Sequence, residues 1–307
     1  MVSASAPRPG THHRTVTIGG LEIFYREAGP ADAPVLLLLH GFPSSSHMYR
    51  NLIPALADTY RVIAPDLPGF GLSAAPPPGS YEYSFAAFAD VVDGLLAALG
   101  VDLYALYVMD YGAPTGFRLA LKHPDRVTAL IVQNGNAYEE GMQDFWAPTR
   151  ALWADNSEAN RAAMLPFFTQ ESTRFQYVAG VRDETRIDPA AWLHDQLFLD
   201  RPGNQAIQFA IIHDYRTNVA LYPAIHAYFR ASQPPTLILW GRNDPIFSVE
   251  GAEAFLRDLP QAELHLLDTG HFALEDMADE MVPLIRDFLG RQPITVAPTS
   301  VCTKEGA

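Results

Sequence analysis

Residues 103–127 read LYALYVMDYGAPTGFRLALKHPDRV. Leu103 to Val108 form an apolar run too short for a stable helix, as expected of a strand covered on both faces. From Gly112 to His123 the apolar residues Ala113, Phe117, Ala120 and Leu121 recur at i, i+4, i+7 and i+8, which is one face of a helix. The chain therefore turns from strand to helix across Met109-Asp110-Tyr111, with Asp110 at the corner. A helix starting behind this carboxylate offers it the positive end of a dipole. Pro114 fits an early helical turn, where its missing N–H costs little.

The same alternation extends outward. Apolar, strand-like runs stand at 35–39 (VLLLL), 61–65 (RVIAP), 127–132 (VTALIV), 236–240 (TLILW) and 262–267 (AELHLL). Helical stretches separate most of them, which predicts a mostly parallel sheet with helices on both faces. Segments 15–18 and 21–27 flank Gly19-Gly20 and predict a β-hairpin, since both glycines accept positive φ. The interval 138–231 breaks the rhythm: it carries Trp146, Trp153, Phe167, Trp192 and Phe209 at helical spacings and no convincing buried strand. The expected layout is a core of residues 14–137 and 232–290, a helical cap at 138–231 inserted between its halves, and tails at 1–13 and 291–307.

Composition narrows the function classes. The 307 residues carry a formal net charge of −14 and no cluster of five or more Lys and Arg, which argues against nucleic acid as a partner. One cysteine excludes an internal disulfide, and Cys302 in a polar tail is read as a bystander in a reducing compartment. The aliphatic run Val35–Leu39 is far short of the roughly 20 residues that cross a bilayer, and the N-terminus lacks an apolar signal core. A cytoplasmic protein without a membrane span is expected. Neither H-x-x-x-H nor C-x-x-C spacing occurs, so no metal is expected.

Three segments lie just past predicted strands, where open α/β sheets place their sites. His40-Gly41-Phe42-Pro43 follows VLLLL, and its glycine lets backbone N–H groups turn into a cleft. Asp110 occupies the place of Ser in a G-x-S-x-G elbow. Asp244, in GRNDPIF, and His271, in LLDTGHF, complete the chain order nucleophile, acid, histidine. Asp268, three residues before His271, is the competing acid, but it would have to fold back on its own loop. His40 and Asp66 read as structural, and His123 and His213 as surface or packing positions.

HGFP at 40–43, DLPGFGLS at 66–73, VMDYGAPTGFRLALKHPDRV at 108–127, GRNDPIF at 241–247 and TGHFALE at 269–275 resemble the α/β-hydrolase fold, in its epoxide hydrolase and haloalkane dehalogenase branch. The resemblance covers about residues 15–135 and 234–289 and is weaker between them. It implies an eight-stranded, mostly parallel sheet flanked by helices and a small hydrophobic organic substrate, with no cofactor. Asp110 would attack an sp³ carbon to give an alkyl-enzyme ester, and His271, oriented by Asp244, would activate water against it. Phe42 and Tyr111 would supply the backbone oxyanion donors.

The resemblance also implies two tyrosines over the nucleophile that acidify an epoxide oxygen. Tyr215, in HDYRTN, and Tyr177, in TRFQYVAG, are the expected pair, with Tyr222 or Tyr228 as substitutes for Tyr177. Halide release is the alternative. That branch typically holds halide with a Trp after the nucleophile and an Asn after His-Gly, or with a lid Trp; here Tyr111 and Phe42 stand at the first two positions, leaving Trp146, Trp153 or Trp192 to supply an indole N–H. Tyr111 and Pro114 also replace the arginines that clamp a haloacid in fluoroacetate dehalogenases. Val108 stands where the elbow often has Gly.

Overall fold

Val35–Leu39 are buried along their whole length because neighbours on both sides of the strand exclude water. Leu37 and Leu39 join one apolar cluster with Leu106 and Val108, while Leu36 and Leu38 join another with Ala105 and Tyr107. This period-2 division is what a pleated strand imposes. Each leucine buried this way contributes about 1.5–3 kcal/mol.

The computed structural model describes residues 10–292. In chain order the elements are β1 (His12–Ile18), β2 (Leu21–Ala28), β3 (Val35–Leu39), α1 (Leu52–Leu56), β4 (Arg61–Pro65), α2 (Phe85–Ala98), β5 (Tyr104–Met109), α3 (Gly112–Lys122) and β6 (Val127–Gln133). Six helices follow: α4 (Ala147–Ala154), α5 (Glu158–Met164), α6 (Gln170–Val178), α7 (Pro189–Leu199), α8 (Asn204–Asp214) and α9 (Arg216–Ser232). The chain then closes with β7 (Thr236–Gly241), α10 (Val249–Asp258), β8 (Glu263–Leu267) and α11 (Ala278–Gly290).

The eight strands form one sheet in the order β1-β2-β4-β3-β5-β6-β7-β8. Strand β2 runs antiparallel to β1 and β4, and the remaining pairs are parallel. Helices α2 and α3 pack on one face, α1 and α11 on the other. Strand β7 pairs directly with β6, Leu130 opposite Thr236, so the helices α4–α9 leave and re-enter the sheet between adjacent strands.

One expected boundary is corrected. Strand β1 begins at His12, inside the segment 1–13 expected to be a tail, with His12 paired to Glu27. His12, His13 and Arg14 are exposed and carry no apolar pattern, yet the backbone ladder to β2 does not need one. The hairpin turn is as expected, with φ of +57° at Gly19 and +86° at Gly20. Residues 1–9 and 293–307, including Cys302 and nearly all of the expected C-terminal tail, lie outside the described residues.

Candidate active site

Asp110 follows β5 with φ at +46°, a left-handed conformation that costs a non-glycine residue about 1–2 kcal/mol. The surroundings over-determine it. The Asp110 amide donates to the Asn134 carbonyl at 3.3 Å, and the Asp110 carbonyl accepts the Ala113 amide at 3.0 Å as α3 begins. A Cβ on Gly112 would lie 2.0 Å from the Leu39 oxygen, so only glycine lets α3 start this close to β3. A Cβ on Gly41 would lie 2.3 Å from Asp110 Cβ, so glycine is equally required where the loop after β3 meets the carboxylate.

That loop aims the Phe42 N–H at Asp110 Oδ1, 2.7 Å away. The Tyr111 N–H also favours the ionised carboxylate. Asp110 is only 4% exposed, and burial raises its pKa to about 6 against the opposing pull of His271 and these two amides. A step that needs the ionised carboxylate therefore fails in acid. Its single-turnover rate should be flat above about pH 7 and fall tenfold per pH unit well below pH 6, as a rapid-quench pH profile would show.

His271 lies past the end of β8 and is fully buried. Its Nδ1–H donates to Asp244 Oδ2 at 2.8 Å, which directs Nε2 toward Asp110 Oδ2 at 3.9 Å. Nε2 has no hydrogen-bond partner among the described residues. Burial works to lower the imidazole pKa, but Asp244 and then Asp110 outweigh it, and the net shift is upward. Asp244 is fixed independently, accepting from the Ile246 amide at 2.7 Å and from Asn134 Nδ2 at 2.7 Å. The rival acid, Asp268, is half exposed and faces Arg182 at 3.6 Å and Asn243 at 3.1 Å instead.

Asn134 was not singled out in the sequence, although it joins the two halves of the site. Its carbonyl accepts the Asp110 amide, its Nδ2 donates to Asp244, and its Oδ1 accepts the Gly241 amide at 3.0 Å. It also holds φ at +40°, which Asn tolerates better than most residues. The available signal was an Asn two residues past the apolar run at 127–132.

A cavity of about 50 Å³ opens over Asp110. Phe42, Tyr111 and Ile246 line it from the sheet side. The segment between β6 and β7 adds an apolar wall of Phe145, Trp146, Met164, Phe167 and Ile212, together with three polar side chains, Thr149, Gln176 and Tyr215. Among the described residues, no charged side chain other than Asp110 borders it. Among the described residues, no three His, Cys, Asp or Glu side chains converge as a metal site.

The expected tyrosines separate. Tyr215, at the junction of α8 and α9, borders the cavity; its buried hydroxyl lies beside that of Tyr222 and meets no partner at good hydrogen-bond geometry among the described residues. Burial, and then the neighbouring Tyr222 and Asp110, hold that phenol well above its usual pKa. Tyr177 is a correction: its hydroxyl donates to Asp195, its ring stacks on Phe272 at 4.0 Å, and it does not border the cavity. One residue on an α-helix is a turn of 100°, so α6 presents Gln176 to the cavity and Tyr177 elsewhere. Tyr222 and Tyr228 do not border it either, Tyr222 accepting from Asn136 at 3.1 Å.

The tryptophans are committed. Trp146 Nε1 donates to the Ile246 carbonyl and Trp153 Nε1 to the Ile212 carbonyl, both at 2.8 Å. Trp192 packs near Tyr177 and does not border the cavity.

A mostly parallel α/β sheet, with a carboxylate at the strand-to-helix elbow after β5 and an acid–histidine pair past β7 and β8, is the architecture of a hydrolase. The chain belongs to the alpha/beta hydrolase fold family, which matches residues 34–278. It is 42% identical to an uncharacterized hydrolase of Saccharomyces cerevisiae, over 90% of this chain and 97% of the relative. It is 30% identical to a cis-3-alkyl-4-alkyloxetan-2-one decarboxylase of Xanthomonas campestris, over 90% and 94% of the two chains. It is likewise 30% identical to a haloalkane dehalogenase of Bradyrhizobium diazoefficiens, over 87% and 90%. No helix among the described residues is long and apolar enough to cross a membrane.

Proposed function

We propose that this hydrolase opens a small, uncharged epoxide to a vicinal diol through an ester on Asp110. The observation that carries this reading is the pairing of a buried Tyr215 hydroxyl, which meets no partner at good hydrogen-bond geometry among the described residues, with Asp110 in one cavity, while the Trp146 and Trp153 indoles are bound to carbonyls. An epoxide leaves as an alkoxide and needs a proton, which a phenol can give; a halide needs only an N–H cradle. The segment 138–231 acts as a cap that keeps water from the cavity. Among the described residues no cationic side chain lines the cavity, which disfavours carboxylate substrates such as haloacids. The composition, with its one cysteine, supports a cytoplasmic setting.

In this mechanism Asp110 Oδ2 attacks a ring carbon, the C–O bond breaks, and Tyr215 protonates the departing oxygen. Asp110 Oδ1 remains beside the Phe42 N–H at 2.7 Å. His271 Nε2 then takes a proton from water as its oxygen attacks Cγ of the ester, and charge developing on Oδ1 falls on the Phe42 and Tyr111 amides. Asp244 stabilises the imidazolium so formed. Collapse releases the diol and leaves the water oxygen in the carboxylate.

The relatives' names include a strained four-membered ring and a haloalkane as substrates, so leaving-group identity is the point to test. Incubation with short-chain epoxides, and separately with haloalkanes, should give diol from the first. Halide release without diol would overturn the proposal. Tyr215→Phe should slow epoxide opening by about 100-fold while leaving hydrolysis of a preformed ester within about twofold, as rapid-quench kinetics would measure.

A further inference from the structure

We propose that the side-chain amide of Gln176 is the second donor to the leaving oxygen, acting beside the Tyr215 phenol; this rests on the epoxide reading above. Gln176 is 4% exposed, borders the cavity that holds Asp110 and Tyr215, and its side-chain amide makes no hydrogen bond to another described residue. Its neighbours on α6 are otherwise employed. Thr173 donates to Gln196 at 2.6 Å, and the Tyr177 hydroxyl is held by Asp195. An amide that borders a cavity with its hydrogen-bonding capacity open is completed when a bound molecule occupies that cavity.

The other polar groups of the cavity fit less well. The Thr149 hydroxyl faces the Met164 sulfur at 4.0 Å. The Tyr111 ring is wedged among Phe42, Phe70, Phe85 and Tyr215, with centroids 5.1–6.3 Å away. Gln176 comes from α6 and Tyr215 from the α8–α9 junction, so the two donors approach from different helices.

The step balances without another reactant. Asp110 Oδ2 forms a bond to the ring carbon while the C–O bond breaks and its electron pair passes to oxygen. The proton comes from Tyr215, leaving a phenolate; the Gln176 N–H shares its hydrogen and keeps it. The proton released when water cleaves the ester restores the phenol.

The test is single-turnover kinetics with 1,2-epoxybutane, following ester on the Asp110 peptide and diol in solution. Gln176→Leu should slow ester formation by about 10- to 100-fold and leave ester hydrolysis within about twofold. Gln176→His, which restores a ring N–H, should recover most of that loss, with thermal melting confirming that both variants fold. An unchanged rate of ester formation in Gln176→Leu, equal slowing of both steps, or no recovery in Gln176→His would overturn the assignment. A loss in Tyr111→Phe instead would move the role to that phenol. Absence of diol from the unaltered enzyme would remove the epoxide reading itself, whereas diol formation that ignores Gln176 would remove only this inference.

Discussion

Asp110→Asn should lower turnover by at least about 10⁴-fold and abolish the ester, because an amide nitrogen or oxygen does not replace the carboxylate as nucleophile. Asparagine is the informative replacement. It accepts the left-handed φ of +46° and can keep an oxygen on the Phe42 N–H, so the loss reports chemistry rather than geometry. Turnover of the unaltered enzyme in ¹⁸O-water should label the Asp110 peptide; absence of label with turnover established would sink the covalent route.

The same substitution should stabilise the fold at alkaline pH. The carboxyl's pKa rises from 3.8 to about 6 on folding, so the folded state holds the proton more tightly than the unfolded one. Native stability therefore declines as pH rises from about 4 to about 6 and is flat beyond, a penalty on the order of 3 kcal/mol. Asp110→Asn should escape it: its advantage in thermal or denaturant unfolding should be largest above pH 7 and vanish below about pH 4. His271 acts in the same sense. Burial lowers its pKa but Asp244 raises it further, so its stabilising contribution is present below the unfolded value and is lost as pH rises through the folded one.

His271→Gln should trap the reaction halfway. Asp110 keeps the Phe42 amide and Tyr215 remains in the cavity, so ester formation continues, while hydrolysis loses its base. Turnover should fall by about 10³-fold or more, and intact-protein mass should rise by one epoxide per chain. If the variant stays unmodified in the presence of substrate, the division of labour between Asp110 and His271 is wrong. In the unaltered enzyme the two half-reactions should respond differently to pH. Ester formation levels off once Asp110 is ionised, whereas ester hydrolysis continues to climb until His271, with its raised pKa, is neutral.

Much of this architecture was legible along the chain. Continuous apolar runs such as Val35–Leu39 announce strands buried on both faces, and the switch from that run type to helical spacing at Asp110 locates the elbow. Asp244 and His271 stand where strand ends place them, and the structure brings them to 2.8 Å. The inner limit of the N-terminal tail was less legible, because β1 is an exposed edge strand whose pairing is made by backbone and leaves no apolar signature.

The residues above Asp110 follow a different logic. Tyr177 and Gln176 are adjacent in sequence, and only the rotational setting of α6 decides which one reaches the cavity. Asn134 matters through three hydrogen bonds to partners as distant as Gly241 and Asp244, none of which residue spacing encodes. The sequence by itself determined the sheet, the elbow and the order of the three chemical groups, since these depend on local periodicity and on where strands end. Which polar side chains face the substrate was decided by tertiary structure alone, because helix rotation and packing are set by contacts between segments far apart in the chain.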